Sequence, residues 1–213
     1  MLKWLNLLTD DAPTAEADLL RDLLKESPEI PDWSAAVQPV LHRLLEYNPV
    51  KRAVVCRVLD MPMFNALALP HKTVVLSQLL VEFCRDRRDQ IAFVLAHEVA
   101  HIYLGHVRKR DLANTVMAVA PVANPLLGMG LRWLFNRAYT REQEFEADNC
   151  AFRFCVRAGF DPEASITLLE RLGSTEPPGN SVTQILATHP PVVQRVIQLR
   201  TAIHSWKSGN AKS

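Results

Sequence analysis

Cysteine is scarce and scattered, with four in 213 residues at positions 56, 84, 150 and 155 and no CxxC pair among them. Without such a pair they read as free core thiols, Cys150 and Cys155 falling on different faces of one helix, and free thiols suit a reducing compartment. Charge of one sign is also missing. Twenty-four basic residues against twenty-three acidic ones leave a net charge of +1 and no basic block, which excludes a general electrostatic attraction for nucleic acid or acidic membranes. The apolar start Met1 to Leu8 meets Asp10 and Asp11 before it reaches the length of a secretory apolar region, so no cleaved signal is expected, and the expected placement is cytoplasmic. There is no internal repeat and no low-complexity tract. One long uncharged run does occur, the twenty residues Leu112 to Leu131. It has the length of a membrane span, but its two Pro, two Asn and two Gly argue for a pair of apolar helices broken near Pro121 or Pro125. A span or interfacial segment, associating the chain with a membrane, is the alternative.

What is present suffices for one sizeable core, at 48 % apolar residues. Helices are expected from about Ala15 to Lys25 and from Ser34 to Tyr47, with Pro28 and Pro31 between them, forming an N-terminal helical extension over residues 1–50. Ala53 to Leu59, Asn65 to Leu69 and Thr73 to Leu76 read as short strands at the start of a catalytic domain over 51–213. Further helices follow: Arg88 to His106, one opened by Thr140 and stopped by Gly159, one capped by Asp161-Pro162 and running to Leu172, and a last one from Val192 to Trp206. The tail from Lys207 is expected to fray.

His97-Glu98-Val99-Ala100-His101 is the stretch that states a chemistry. Four helical residues make roughly 400° of rotation, so the two imidazoles share a face one turn apart and can bind one tetrahedral zinc ion. Glu98 then lies beside that ion as a base for the attacking water. The helix is so apolar around the motif that unpaired His and Glu would be costly to bury.

A further ligand is needed. Leu104 and Val107 stand where one zinc-peptidase pattern requires Gly and His, which leaves a carboxylate from a later helix. Thr140-Arg-Glu-Gln-Glu-Phe-Glu-Ala-Asp148 supplies one: Thr140 and Gln143 form a capping box, and Glu144 and Asp148 share a face while Glu142 and Glu146 point elsewhere. Glu144 is the expected third ligand and Asp148 a partner of a ligand histidine. His106, turned about 140° from His101, reads as a solvated or helix-end residue.

The order Asn65-Ala-Leu-Ala-Leu-Pro70, Thr73-Val-Val-Leu-Ser77, HEVAH, Glu144-Phe-Glu-Ala-Asp148 and Thr188-His-Pro-Pro191 with Arg195 resembles the HtpX-like and CAAX-prenyl-endopeptidase group of zinc metallopeptidases, over roughly residues 52 to 205. The resemblance implies a gluzincin-like α+β fold, predominantly helical, with a small sheet beside the HExxH helix. It implies one zinc ion per chain held by His97, His101 and Glu144, with Glu98 as general base and Asp148 orienting a ligand imidazole. A metal-bound imidazole donates its other N–H to an oxygen, so changing Asp148 is expected to weaken zinc binding without abolishing it. It further implies that Asn65 and Ala66 border the cleft and pair with an extended substrate, where the plainer reading is the end of a core strand. His189 and Arg195 resemble an HPxxxxR element able to face the substrate, His189 as a catalytic donor and Arg195 as a substrate-binding group. The plainer readings are a helix cap and a structural salt bridge. Tyr139 is another conceivable donor that more often packs. The expected activity is hydrolysis of a protein or peptide. A zinc-bearing binding or chaperone-like module without proteolysis, and a membrane-associated peptidase, are the alternatives.

Overall fold

The structure is a computed structural model, and it describes residues 12–50, 53–69, 71–107, 139–174 and 192–210. The run 112–131 and His189 lie outside the described residues. Among the described residues ten elements follow in order: α1 (Ala12–Glu26), α2 (Pro31–Glu46), β1 (Val55–Leu59), β2 (Ala66–Ala68), β3 (Thr73–Ser77), α3 (Gln78–Phe83), α4 (Arg88–Tyr103), α5 (Arg141–Arg157), α6 (Glu163–Ser174) and α7 (Val192–Asn210). The α+β class, predominantly helical with one small sheet, is the one expected from the sequence.

The sheet has the order β1-β3-β2, with β1 parallel and β2 antiparallel to β3. Successive side chains of a strand point to opposite faces, and all three strands use both. Cys56 and Val58, Ala66 and Ala68, and Val74 and Leu76 enter the principal core, which α2, α4, α5, α6 and α7 complete. Leu59, Leu67, Leu69 and Val75 point the other way, into a second cluster closed by Leu19 and Leu23 of α1. The sheet is therefore sandwiched, with α1 on the face away from α4. Glu16 of α1 fixes that arrangement: its carboxylate accepts from the backbone N–H of His71, from that of Lys72 at 2.9 Å and from the Thr73 hydroxyl at 2.5 Å.

Several boundaries move from their expected places for local reasons. α2 starts at Pro31 rather than Ser34, because Pro at the first helical turn has no N–H to leave unpaired. Ser34 instead accepts from the Val58 N–H at 2.9 Å, tying α2 to β1. α3 is an element additional to those expected from the sequence; Ser77 ends β3 and caps α3 by accepting from the Leu80 N–H. The last helix continues past Trp206 to Asn210, helped by a Lys207–Glu163 ion pair at 2.6 Å that anchors it to α6.

α4 is the axis of the molecule. Every residue from Gln90 to Ile102 is buried, as befits a helix apolar on nearly all sides and packed by neighbours all round. It contacts α2, α5, α6, β2 and β3. Its polar motif is thus delivered into the centre of the fold.

Candidate metal centre

α4 carries His97, Glu98 and His101, all buried. The Nε2 atoms of His97 and His101 lie 3.1 Å apart. Two imidazole nitrogens so close need a proton or a cation between them. Facing them is Glu144, fully buried on α5, with Oε2 3.5 Å from His97 Nε2 and Oε1 3.4 Å from His101 Nε2. Among the described residues this is the one group of His, Cys, Asp or Glu side chains able to hold a metal ion together. A tetrahedral zinc ion with bonds of about 2.0–2.1 Å separates its ligand atoms by about 3.3–3.4 Å. The 3.1 Å between the two Nε2 atoms is close to that edge, and the Glu144 carboxylate offers one oxygen 3.4–3.5 Å from each of them, a donor set that fits that ion.

α5 reaches this position through the capping box, with both bonds present: Gln143 N–H to Thr140 Oγ1 at 3.2 Å, and Thr140 N–H to Gln143 Oε1 at 3.0 Å. Glu144 thereby sits in the first turn, where the helix dipole favours a carboxylate. One turn on, Asp148 places Oδ1 3.0 Å from His97 Nδ1. Arg195, reaching in from α7, clamps Asp148 with Nε to Oδ2 at 2.7 Å and Nη2 to Oδ1 at 2.8 Å, and sets Nη1 3.1 Å from Glu144 Oε2. This forked geometry suits guanidinium and carboxylate.

These buried charges govern one another. Burial and the Arg195 charge oppose protonation of His97, but Glu144 and Asp148 outweigh them and hold its pKa up at about 9. For Asp148, burial pushes upward and is overcome by Arg195 and His97, leaving the carboxyl below its usual range. Burial likewise disfavours the Arg195 cation, and Asp148 and Glu144 more than restore it. The set is mutually dependent, with no member cheap to remove.

A cleft opens beside the group. His97 and Glu98 form part of its wall, with Ala66 from β2, Phe93 and Val94 from α4, Leu168, Leu169 and Leu172 from α6, and Val192 and Arg195 from α7.

The sequence profile of peptidase family M48 matches residues 34–203. The chain belongs to that family. Among M48-type relatives it is 33 % identical to the mitochondrial metalloendopeptidase OMA1 of Arabidopsis thaliana over 62 % of this chain and 28 % of that protein. It is 28 % identical to the metalloprotease YcaL of Escherichia coli over 67 % of this chain and 59 % of the relative. It is also 28 % identical to the beta-barrel assembly-enhancing protease of Escherichia coli, over 67 % and 33 %. The chain thus spans between about a quarter and three fifths of the length of these relatives.

On this M48 domain the expected residues divide as follows. His97, Glu98, His101, Glu144 and Asp148 come together. Asn65 is buried at the entry to β2, its N–H donating to Ser77 Oγ and its carbonyl accepting from the Ser77 N–H, while Ala66 reaches the cleft wall. Arg195 lines the cleft too, yet its guanidinium is engaged by Asp148 and Glu144, the salt-bridge alternative. Sequence reasoning missed His106. Far from being solvated, it is 1 % exposed, with Nδ1 3.0 Å from His101 Nδ1. The helical projection fails because α4 ends at Tyr103 and Gly105, at φ +72°, turns the chain back. Glu146, expected to point elsewhere, meets His106 Nε2 at 2.9 Å. Tyr139 stacks its ring on His101, with centroids 3.6 Å apart and planes 11° from parallel, consistent with the packing alternative.

Proposed function

We propose that the chain is a zinc-dependent endopeptidase in which His97, His101 and Glu144 hold one zinc ion and Glu98 is the general base. The observation that carries this is the convergence of the two imidazole Nε2 atoms and the buried Glu144 carboxylate on one point at the wall of a cleft. When bound, zinc supplies Lewis acidity, polarising a carbonyl and bringing the pKa of water to about 7. Glu98, next to His97 in sequence and on the same cleft wall, accepts the proton of the attacking water at its carboxylate and hands it to the leaving amine. Asp148, braced by Arg195, holds the Nδ1 proton of His97 and so keeps Nε2 free to face the metal. The apolar walls exclude bulk water and accept an apolar segment of the protein or peptide substrate. Ala66, at the start of an edge strand, supports the alignment of an extended backbone there, with Asn65 fixing the strand's entry. Arg195 serves the substrate indirectly, through the carboxylates it holds. For His189 the support is its place in the His189-Pro190…Arg195 element. Four free cysteines support a reducing compartment. Among the described residues no helix is long and apolar enough to cross a membrane.

Unfolded casein, incubated with wild type and Glu98→Gln, with and without a chelator, tests this reading. Wild type cleaves and the chelator stops it. Glu98→Gln keeps about one zinc per chain while turnover falls by about 10²–10⁴-fold. Undiminished cleavage by Glu98→Gln removes its role as base, and intact casein retained by the wild type favours a binding module.

A further inference from the structure

The two ligand imidazoles are backed by different groups. His97 Nδ1 meets a carboxylate directly, Asp148 Oδ1 at 3.0 Å. His101 Nδ1 meets a third imidazole, His106 Nδ1 at 3.0 Å, which in turn places Nε2 2.9 Å from Glu146 Oε2. The protons on this second chain have one consistent arrangement. His101 Nε2 faces His97 and Glu144, so a neutral His101 ligating through that atom carries its proton on Nδ1. His106 Nδ1 must then accept. A neutral His106 consequently carries its own proton on Nε2 and donates it to Glu146.

We propose that His106 is a positioning residue for the zinc site, accepting from His101 Nδ1 and itself oriented by Glu146; the inference rests on reading His97, His101 and Glu144 as the ligand set. His106 fixes the His101 ring within its plane, and the stacked Tyr139 ring blocks movement out of the plane. His106 is buried, so an imidazole there without a partner for each nitrogen would be costly. Gly105, at φ +72°, is the bend that brings it back against α4. Glu146 stands two residues from Glu144, so the helix that provides the third ligand also orients the support of the second.

Zinc affinity of the full chain, measured by competitive titration, and the visible absorption of its cobalt(II) form test this without relying on turnover. His106→Leu is expected to weaken zinc binding by about 10–100-fold and to shift the cobalt bands. His106→Asn sets an amide oxygen close to where Nδ1 lies and is expected to recover most of the affinity. Glu146→Ala, at a side chain 62 % exposed, is expected to lose about 2–5-fold, as suits an outer, solvated partner. Affinity and cobalt spectrum of His106→Leu equal to wild type overturn the proposal and leave the zinc site standing. An Asn variant as weak as the Leu variant overturns the acceptor role. If His106→Leu does not fold, Glu146→Ala decides, and unchanged affinity with an unchanged spectrum overturns the proposal. Wild type that binds no zinc overturns the ligand set itself, a separately visible result.

Discussion

Arg195 faces two buried carboxylates at the site, with Asp148 in a forked bond and Glu144 at 3.1 Å. Replacing it by an apolar side chain of similar length leaves uncompensated charge in the interior, which costs far more than the pair contributes when whole. Arg195→Met is therefore expected to lower unfolding free energy by about 3–5 kcal/mol, read from urea melts of wild type and variant; a change under 1 kcal/mol would mean that solvent reaches these carboxylates. The thiols make a second test at this scale. Burial raises all four, Cys84 to about 12 and Cys150 to about 11, with Cys56 and Cys155 higher still. A raised acid pKa leaves almost no thiolate at pH 8, and the thiolate is the reactive form. Iodoacetamide at pH 8 should leave Cys56, Cys84 and Cys155 unmodified in the folded chain, with Cys150 labelled slowly and all four labelled after denaturation. Mass mapping reads the result, and prompt labelling of Cys56 in the folded state would contradict its burial.

Among the elements, α5 depends most visibly on a local device. Its capping box satisfies two backbone donors at once, and Glu144 follows one residue later. Thr140→Ala is expected to cost about 0.5–2 kcal/mol and to lower zinc affinity as well, because the frayed turn is the one that carries Glu144, the proposed third ligand. Denaturant melts and a zinc titration of the same sample separate the two effects. This box was readable in the sequence because capping needs only residues three apart. The HExxH face was readable for the same reason, its rotation fixed by four residues of one regular helix. His106 was not, since Gly105 breaks the regularity on which the projection rests. Nor does the sequence decide between the salt bridge and the substrate-binding role it offers for Arg195: whether residue 195 meets residue 148 depends on how α7 packs on α5, which no local spacing states. Glu16 shows the same limit, its partners at His71 to Thr73 lying more than fifty positions along the chain.

For the molecule as a whole, the sheet divides two cores of unequal duty. The larger one surrounds α4 and the candidate metal centre, whereas the smaller one holds α1 against the far face. Leu23 is fully buried in the smaller core. Leu23→Ala is expected to destabilise the chain by about 2–5 kcal/mol while the folded protein binds zinc as wild type does. Calorimetry and zinc titration check this, and a matching loss of zinc affinity would show that the cores are coupled through the sheet. The Arg195 clamp bears on assembly order. The imidazoles at 97 and 101 and the carboxylates at 144 and 148 are all synthesised before the guanidinium that reconciles their charges. A growing polypeptide therefore carries these groups with their charges unreconciled until α7 has been made and has docked on α5, so the centre closes only after α4 and α5 are already in place.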